Sequence, residues 1–123
     1  AKNPAGVNVS LSESNYNSNR KQYLFVLNDQ AYDGRDISWI WDADYEKINN
    51  ELTDKVICSG LRADDMAVRI KYAGIPEDKI LVISDIDKAV EELASRSING
   101  YVVPNYTALE PTRKALLKRF KTS

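Results

Sequence analysis

The stretch Tyr23-Leu24-Phe25-Val26-Leu27 decides the fold, because it is a continuous apolar run with the length of one β-strand. A run without alternating polar residues is typical of a strand buried on both faces, as in parallel sheets. Three later stretches repeat the pattern: Val56-Ile57-Cys58, Ile80-Leu81-Val82-Ile83 and Tyr101-Val102-Val103. The sequence therefore predicts a sheet built from these four strands.

Helical patterns separate the predicted strands. In residues 61–73 the apolar positions recur near a 3.6-residue period, and Gly74 and Pro76 follow as stop signals. A second helix is predicted to begin at Ser84 with a capping-box-like start, and a third helix begins within residues 105–107. The residues expected to face the core from these helices are Leu61, Met66, Ala67, Ile70, Ala73, Ile86, Ala89, Val90, Leu93, Ala94, Leu109, Leu116 and Phe120.

The alternation of strands and helices predicts an α/β fold: a Rossmann-like, mostly parallel sheet with helices on both faces. In such sheets, ligands collect outside the carboxyl ends of the strands. That rule selects the loops at residues 28–38, 59–62, 84–85 and 104–107. Their candidate substrate-side residues are Asn28, Arg62, Asn105 and Tyr106.

Two of these candidates have structural alternatives that the sequence leaves open. Arg62 follows a turn and either holds an anion at a helix start or pairs with Asp64 or Asp65. Asn105 either faces a ligand or caps the third helix.

Composition narrows the functional classes. The chain has 123 residues, of which 43% are apolar, so we expect one domain spanning residues 1–123. The formal net charge of −1 gives no basic field for nucleic acid, and no apolar run reaches the length of a membrane span. Cys58 is the only cysteine and is interpreted as a buried strand residue, so we expect no internal disulfide and a reducing, cytoplasmic location.

Two absences restrict the chemistry further. The chain has no histidine, which excludes an internal Ser-His-Asp or Cys-His triad and the usual zinc sites. It also lacks the glycine-rich motifs that cradle phosphates. Because it starts without methionine, in the loop-like residues 2–6, we expect it to be one domain cut from a longer chain.

Residues 29–46 form the most unusual segment, with six carboxylates, a single cation at Arg35 and both tryptophans, Trp39 and Trp41. Tryptophans two residues apart are expected to share one face of an extended segment. Clustered carboxylates also raise the alternative of a divalent metal site. The spacing does not match an EF-hand loop, however, and the D-x-D pair of Asp42 and Asp44 is a weak signal.

Asp36 is the carboxylate of this segment that local structure explains least. Turn and helix-capping roles account for Asp33, Asp42 and Asp44. Asp36 instead lies just before an apolar run, where a lone carboxylate needs a partner. The adjacent cation, Arg35, points elsewhere if the segment is extended.

Five segments together resemble a known family. They are Lys2-Asn3-Pro4-Ala5-Gly6, Leu27-Asn28-Asp29, Asp33-Gly34-Arg35-Asp36-Ile37-Ser38-Trp39-Ile40-Trp41-Asp42-Ala43-Asp44, Ser59-Gly60-Leu61-Arg62-Ala63 and Val103-Pro104-Asn105-Tyr106-Thr107-Ala108-Leu109. In this order they are similar to the C-terminal domain of the MurT subunit of bacterial lipid II isoglutaminyl synthase. The resemblance covers essentially the whole chain, and the third segment is long enough to make it specific.

The resemblance implies a Mur ligase-like subunit of which this chain is the C-terminal domain. The full-length subunit of the family binds ATP with Mg²⁺ and carries a zinc ribbon, both in regions outside this chain, so no cofactor or metal is expected in the domain itself. The partner is a glutaminase subunit of the GatD type. Together the two subunits amidate the D-glutamate of lipid II to D-isoglutamine in peptidoglycan biosynthesis. Asn3 resembles a substrate-side position of Mur ligases.

The resemblance further implies that Asp36 completes the partner's Cys-His-Asp triad, and we expect Tyr32, Arg35, Trp39 and Trp41 to contact the partner. A histidine of the partner would give Asp36 a role: accepting Nδ1–H, fixing the tautomer and stabilising the imidazolium. The alternative is a non-catalytic interaction module of a cell-wall enzyme. In that case the aromatic residues dock the partner and Asp36 contributes only polarity at the rim.

Overall fold

The computed structural model describes residues 20–28, 38–49, 51–95, 99–104 and 108–120, without the side chains of residues 38, 39, 99, 119 and 120. This part of the chain contains four strands and three α-helices. The strands are β1 Lys21–Val26, β2 Thr53–Ser59, β3 Ile80–Val82 and β4 Asn99–Pro104. The α-helices are α1 Ala63–Tyr72, α2 Ile86–Ala94 and α3 Leu109–Phe120. Short 3₁₀ helices span Ser38–Trp41, Tyr45–Ile48 and Glu77–Lys79.

The strands form one all-parallel sheet in the order β3-β2-β1-β4. β1 is central, and its Phe25 aligns with Cys58 of β2 on one side and with Val103 of β4 on the other. The order reverses at β1, because β2 and β3 extend to one side and β4 returns to the other. Such a reversal is the point where open parallel sheets place their ligands, outside the carboxyl ends of the strands.

The two faces of β1 are both covered, which explains its uninterrupted apolar sequence. Tyr23, Phe25 and the following Leu27 belong to one buried cluster with α1 and the segment 38–48. Leu24 and Val26 belong to a second buried cluster with α2 and α3. Burying a side chain of this size stabilises the fold by roughly 1.5–3 kcal/mol. The predicted α/β fold with helices on both faces is therefore confirmed.

The edge strands are less buried than the sequence predicts. Val82 of β3 is exposed, and Val102 and Val103 of β4 are only half-buried. The reason is topological: among the described strands, β3 and β4 each have one neighbour, so no described strand covers the outer edge of either.

Two leucines that were expected in the core are exposed instead. Leu61 is 65% exposed, because it lies in the turn before α1 and not on the buried face of that helix. Leu109 is the first residue of α3, and the buried face of that helix starts from Ala108 and continues through Thr112 and Ala115. The remaining predicted core residues whose side chains are described are buried or partly buried.

The helix boundaries follow the expected chemistry with one correction. Gly74 after α1 has a φ of 100°, a conformation that favours glycine, and Pro76 then prevents continuation of the helix. The cap of α2 is Asp85 and not Ser84: its carboxylate accepts hydrogen bonds from the backbone N–H groups of Asp87 and Lys88. Residues 105–107, within which α3 was expected to begin, lie outside the described residues.

Candidate functional site

The carboxyl ends of β1, β2 and β3 are held together by hydrogen bonds between their loops. Arg62 N–H donates to the carbonyl of Leu27 at 2.9 Å, and Leu61 N–H donates to Asn28 Oδ1 at 2.8 Å. Gly60 N–H donates to the carbonyl of Ser84 at 3.1 Å. These bonds bring three of the predicted loops to one edge of the sheet, as the carboxyl-end rule requires.

A cleft of about 630 Å³ opens at this edge. Its lining includes Asn28, Gly60, the start of α2 from Ser84 to Asp87, and Pro111 and Lys114 of α3. Asn28 is buried with its amide oxygen committed to Leu61 N–H, so it holds the loop after β2. The candidate site described by the structure is thus this carboxyl edge together with residues 38–48, which precede β2.

The returning segment, residues 38–48, is anchored in the core by apolar side chains. Ile40, Tyr45 and Ile48 are each almost completely buried, and Tyr45 makes an edge-to-face contact with Phe25 at a centroid distance of 5.3 Å. Trp41 differs: it is 50% exposed and packs edge-on against Tyr72 of α1 at 5.4 Å. This part of the acidic segment therefore lies against α1 and presents an aromatic pair to solvent.

The prediction of an extended segment with both tryptophans on one face is wrong for the backbone. Ser38–Trp41 forms a 3₁₀ helix, in which residues two apart point in different directions. Within this helix Ile40 is buried in the core while its neighbour Trp41 lies at the surface. The side chain of Trp39 lies outside the described residues.

Arg69 of α1 anchors the segment, although it is not among the site residues predicted from the sequence. It is 3% exposed, and its Nε donates to the carbonyl of Ile40 at 2.8 Å. Its Nη2 donates to the carbonyl of Ala43 at 2.7 Å and to the carboxylate of Glu46 at 2.9 Å. The guanidinium also lies 5.4 Å from the ring of Trp41 and 5.1 Å from that of Tyr45, within the range of cation–π attraction.

A sequence signal for Arg69 exists. It lies three residues after Met66 and four before Ala73, so it falls on the buried stripe of α1, where a charged residue requires partners. Its Nη1 is buried and has no hydrogen-bond partner among the described residues. Leaving a buried donor unpaired costs about 1–3 kcal/mol.

The pKa values of the groups around Arg69 are shifted in directions that their contacts explain. The hydrogen bond from Arg69 lowers the pKa of Glu46 below its usual value. Burial raises the pKa of Tyr45 well above its usual value, although the nearby Arg69 opposes that shift. At neutral pH the segment is therefore held by an ionised Glu46 and a neutral Tyr45.

Cys58 is buried inside β2, as predicted. Burial raises the pKa of its thiol to about 12, so the reactive thiolate is not formed near neutral pH. Cys58 is thus a packing residue and not a nucleophile.

The other predicted site residues divide into three groups. Arg62 forms an ion pair with Asp65, with Nε and Oδ2 2.7 Å apart, which favours the structural alternative for this residue. Asn28 and Trp41 lie at the positions described above. The residues outside the described part of the chain are Asn3, Tyr32, Arg35, Asp36, Asn105 and Tyr106.

The metal and capping alternatives for the acidic segment have separate outcomes. Within the described ranges, no group of three or more His, Cys, Asp or Glu residues is arranged to hold a metal ion. Asp44 occupies the N-cap position of the Tyr45–Ile48 helix but makes no side-chain cap hydrogen bond.

In the part of the chain that the structure describes, no helix is long and apolar enough to cross a membrane.

The sheet order and the loops gathered at its carboxyl edge define a Rossmann-like α/β domain of the Mur ligase C-terminal type. Residues 1–109 match the family model described as MurT ligase C-terminal, and the chain belongs to this family.

Curated relatives carry one shared name, lipid II isoglutaminyl synthase (glutamine-hydrolyzing) subunit MurT. Those of Staphylococcus aureus strains COL and N315 are each 41% identical over 121 residues, which is 98% of this chain and 28% of the relative. That of Streptococcus pneumoniae strain ATCC BAA-255 / R6 is 29% identical over 119 residues, which is 96% of this chain and 27% of the relative. The chain thus spans less than a third of the length of these relatives.

Proposed function

We propose that this chain is a domain of a lipid II isoglutaminyl synthase complex that docks the glutaminase subunit and supplies Asp36 to its Cys-His-Asp triad. One observation carries the proposal. Over 98% of its own length, the chain matches a subunit of a synthase that is named as glutamine-hydrolyzing, yet the chain has no histidine and its only cysteine is buried. The base and the nucleophile for glutamine hydrolysis must therefore come from another part of the enzyme.

In this proposal the cysteine of the partner attacks the side-chain amide carbon of glutamine, and the partner's histidine takes the thiol proton and delivers it to the departing ammonia. Asp36 accepts the Nδ1–H of that histidine, which fixes the tautomer and stabilises the imidazolium. Water then releases glutamate from the thioester. The ammonia then serves the ATP-dependent amidation of the D-glutamate of lipid II, in which the carboxyl group must first be activated; that step belongs to the rest of the complex.

Described residues on both sides of the segment 29–37, which contains Asp36, support this proposal. On one side Asn28 accepts a hydrogen bond from Leu61 N–H, and on the other side Ile40 accepts one from Arg69 of α1. Trp41 and Tyr72 add an exposed aromatic pair beside its returning end, and aromatic residues of this kind anchor protein interfaces.

ATP, Mg²⁺ and zinc enter the proposal only through the full-length subunit. The resemblance assigns these groups to regions outside this chain. No step of the proposed role of this domain passes through these groups. A cytoplasmic location stays a prediction.

The test compares Asp36→Asn with Asp33→Asn in the assembled complex. Both changes replace a carboxylate by an amide in the same segment, and asparagine preserves the turn role expected for Asp33. We expect Asp36→Asn to lower glutaminase turnover by about 10⁴-fold with unchanged complex formation, because the orienting carboxylate is lost. Asp33→Asn is expected to stay within about threefold of the wild type, because the turn role is kept. Glutamate release and size-exclusion chromatography provide the two measurements.

The interaction-module alternative gives the opposite outcome in this experiment. Its supporting observation is the half-exposed Trp41 against Tyr72, which serves docking whether or not Asp36 is catalytic. If Asp36→Asn weakens complex formation while each assembled complex keeps its turnover, the catalytic role is refuted and the module remains.

A further inference from the structure

Trp41 is a half-exposed aromatic residue that α1 holds from three directions. Its indole packs edge-on against Tyr72, at a centroid distance of 5.4 Å and an interplanar angle of 69°. The guanidinium carbon of Arg69 lies 5.4 Å from the centre of the same ring. The Nε of Arg69 also donates at 2.8 Å to the carbonyl of Ile40, which belongs to the peptide unit that joins Ile40 to Trp41. Both the ring and the backbone of this surface residue are thus fixed.

Arg69 reaches Trp41 from inside the molecule. Its side chain is almost completely buried, and its Nη2 donates at 2.7 Å to the carbonyl of Ala43, two residues after Trp41. The backbone is therefore tied to α1 on both sides of the tryptophan by two nitrogens of one planar group. Rotation of the chain about Trp41 would break at least one of these hydrogen bonds.

Folding stability alone does not explain a buried charge at position 69. Replacing a buried ion pair by apolar residues of similar volume is often neutral or stabilising, because it avoids the cost of dehydrating the charges. In the described part of the chain, Arg69 also leaves its buried Nη1 without a hydrogen-bond partner. The guanidinium provides a fixed direction that an apolar side chain does not, since burial of apolar surface is non-directional.

We infer that Arg69 is a positioning residue for the docking surface: it holds Trp41, in contact with Tyr72, in the orientation that binds the glutaminase subunit. The inference rests on the proposed function, because it needs Trp41 to lie in that interface. Ordering a mobile side chain on binding reduces affinity, and a side chain that is already ordered in the free protein avoids this loss. Arg69 itself stays buried, so it raises the affinity without touching the partner.

A double-mutant cycle with Arg69→Met and Trp41→Ala tests the inference in the full-length subunit, by calorimetric titration with the glutaminase subunit. Methionine keeps a long apolar side chain at position 69 and removes every donor. We expect Arg69→Met to weaken binding about tenfold, because the aromatic anchor is present but no longer ordered. In the Trp41→Ala background, the same change should weaken binding by less than about twofold, since no indole is left to orient.

Two further variants separate positioning from general damage to the fold. Arg69→Lys keeps the charge and loses the planar fork, so we expect an intermediate loss of about threefold in affinity. Arg113→Met makes the same exchange on α3, where an exposed arginine pairs with Glu110, and should leave the affinity unchanged. Thermal unfolding of each variant ensures that only folded subunits are compared.

A measurement on the wild-type subunit covers the case in which the variants at position 69 do not fold. Fluorine NMR of the free subunit labelled with fluorotryptophan reports on Trp41, whose resonance is identified by its loss in Trp41→Phe. We expect this resonance to be displaced from that of the unfolded chain, because the ring has a fixed environment before the partner binds. A Trp41 resonance that coincides with that of the unfolded chain would overturn the inference.

Three binding results also overturn the inference. They are an equal loss of affinity on Arg69→Met with and without Trp41, wild-type affinity in a folded Arg69→Met subunit, and wild-type affinity in Trp41→Ala. Failure of the proposed function has different signs. The wild-type subunit does not bind the glutaminase subunit at all, which removes the inference with it, or the Asp36→Asn complex keeps its activity, which leaves the binding cycle unaffected.

Discussion

Gly60 lies where the ends of three strands meet, and its replacement by alanine tests that arrangement directly. Its φ of 93° lies in the left-handed region, which L side chains rarely adopt. A Cβ atom built there would lie 2.6 Å from the carbonyl oxygen of Leu27 and 2.7 Å from Oδ1 of Asn28. Both distances are too short for real contacts, so the backbone after β1 or after β2 must move.

The magnitude follows from two costs. An L residue in a left-handed conformation costs roughly 1–2 kcal/mol. Displacing Leu27 or Asn28 weakens the bonds that they accept from Arg62 N–H and Leu61 N–H, at about 1 kcal/mol each. The sum predicts that Gly60→Ala lowers the free energy of unfolding by about 2–4 kcal/mol. For a domain of this size, that corresponds to a decrease in Tm of roughly 10 °C.

Circular dichroism during thermal and urea unfolding measures this difference, and Gly100→Ala is the matched control. A Cβ atom on Gly100 would meet side-chain carbons of Leu93 at 3.2 to 3.3 Å, and it does not require a left-handed backbone. Because the side chain of Leu93 can move more readily than a backbone carbonyl, we expect a decrease of less than about 1 kcal/mol. A Gly60→Ala domain as stable as Gly100→Ala would show that the strand ends are not packed as described.

The remaining predictions concern the surface and the buried thiol. Trp41→Ala should weaken binding of the glutaminase subunit by about 30-fold, as for an aromatic anchor of an interface. The control is Leu117→Ala, a residue 51% exposed on α3, which should not change the binding. Equal affinities of both variants in calorimetry would show that Trp41 is not part of the interface. Cys58 should resist alkylation at pH 8 until the domain is unfolded. Burial raises the pKa of the Cys58 thiol from 9.0 to about 12 in the folded domain. The stability that the buried, protonated thiol contributes is therefore complete below pH 9 and is lost as the pH rises toward 12. A folded domain that is alkylated as fast as the unfolded chain would contradict the burial of this thiol.

The sequence predicted the presence of the strands and helices better than the residues at which they begin and end. The apolar run of β1 and the 3.6-residue period of α1 are properties of neighbouring residues, so both elements were expected in the right places. Ser84 and Asp85 compete for the same cap, and the choice depends on which side chain reaches two backbone N–H groups. Local sequence does not contain that information.

The candidate site was predictable at the level of loops but not of contacts. The carboxyl-end rule placed Asn28 and Arg62 at one edge of the sheet, and the structure confirms that placement. Which partner each side chain takes is a different matter. Arg62 forms an ion pair with Asp65 across the first turn of the helix, whereas the sequence left Asp64 and Asp65 open as partners.

Sequence alone determined the class of the domain and the chemistry that it lacks, since strand and helix periods are local and the absence of histidine is a matter of composition. Tertiary structure decided that β4 lies beside β1 and that Arg69 holds a segment 23 to 29 residues distant. Such choices depend on free energies of contacts between residues far apart in the chain. The same residues with the same periods fit several strand orders, and only the packed molecule selects one.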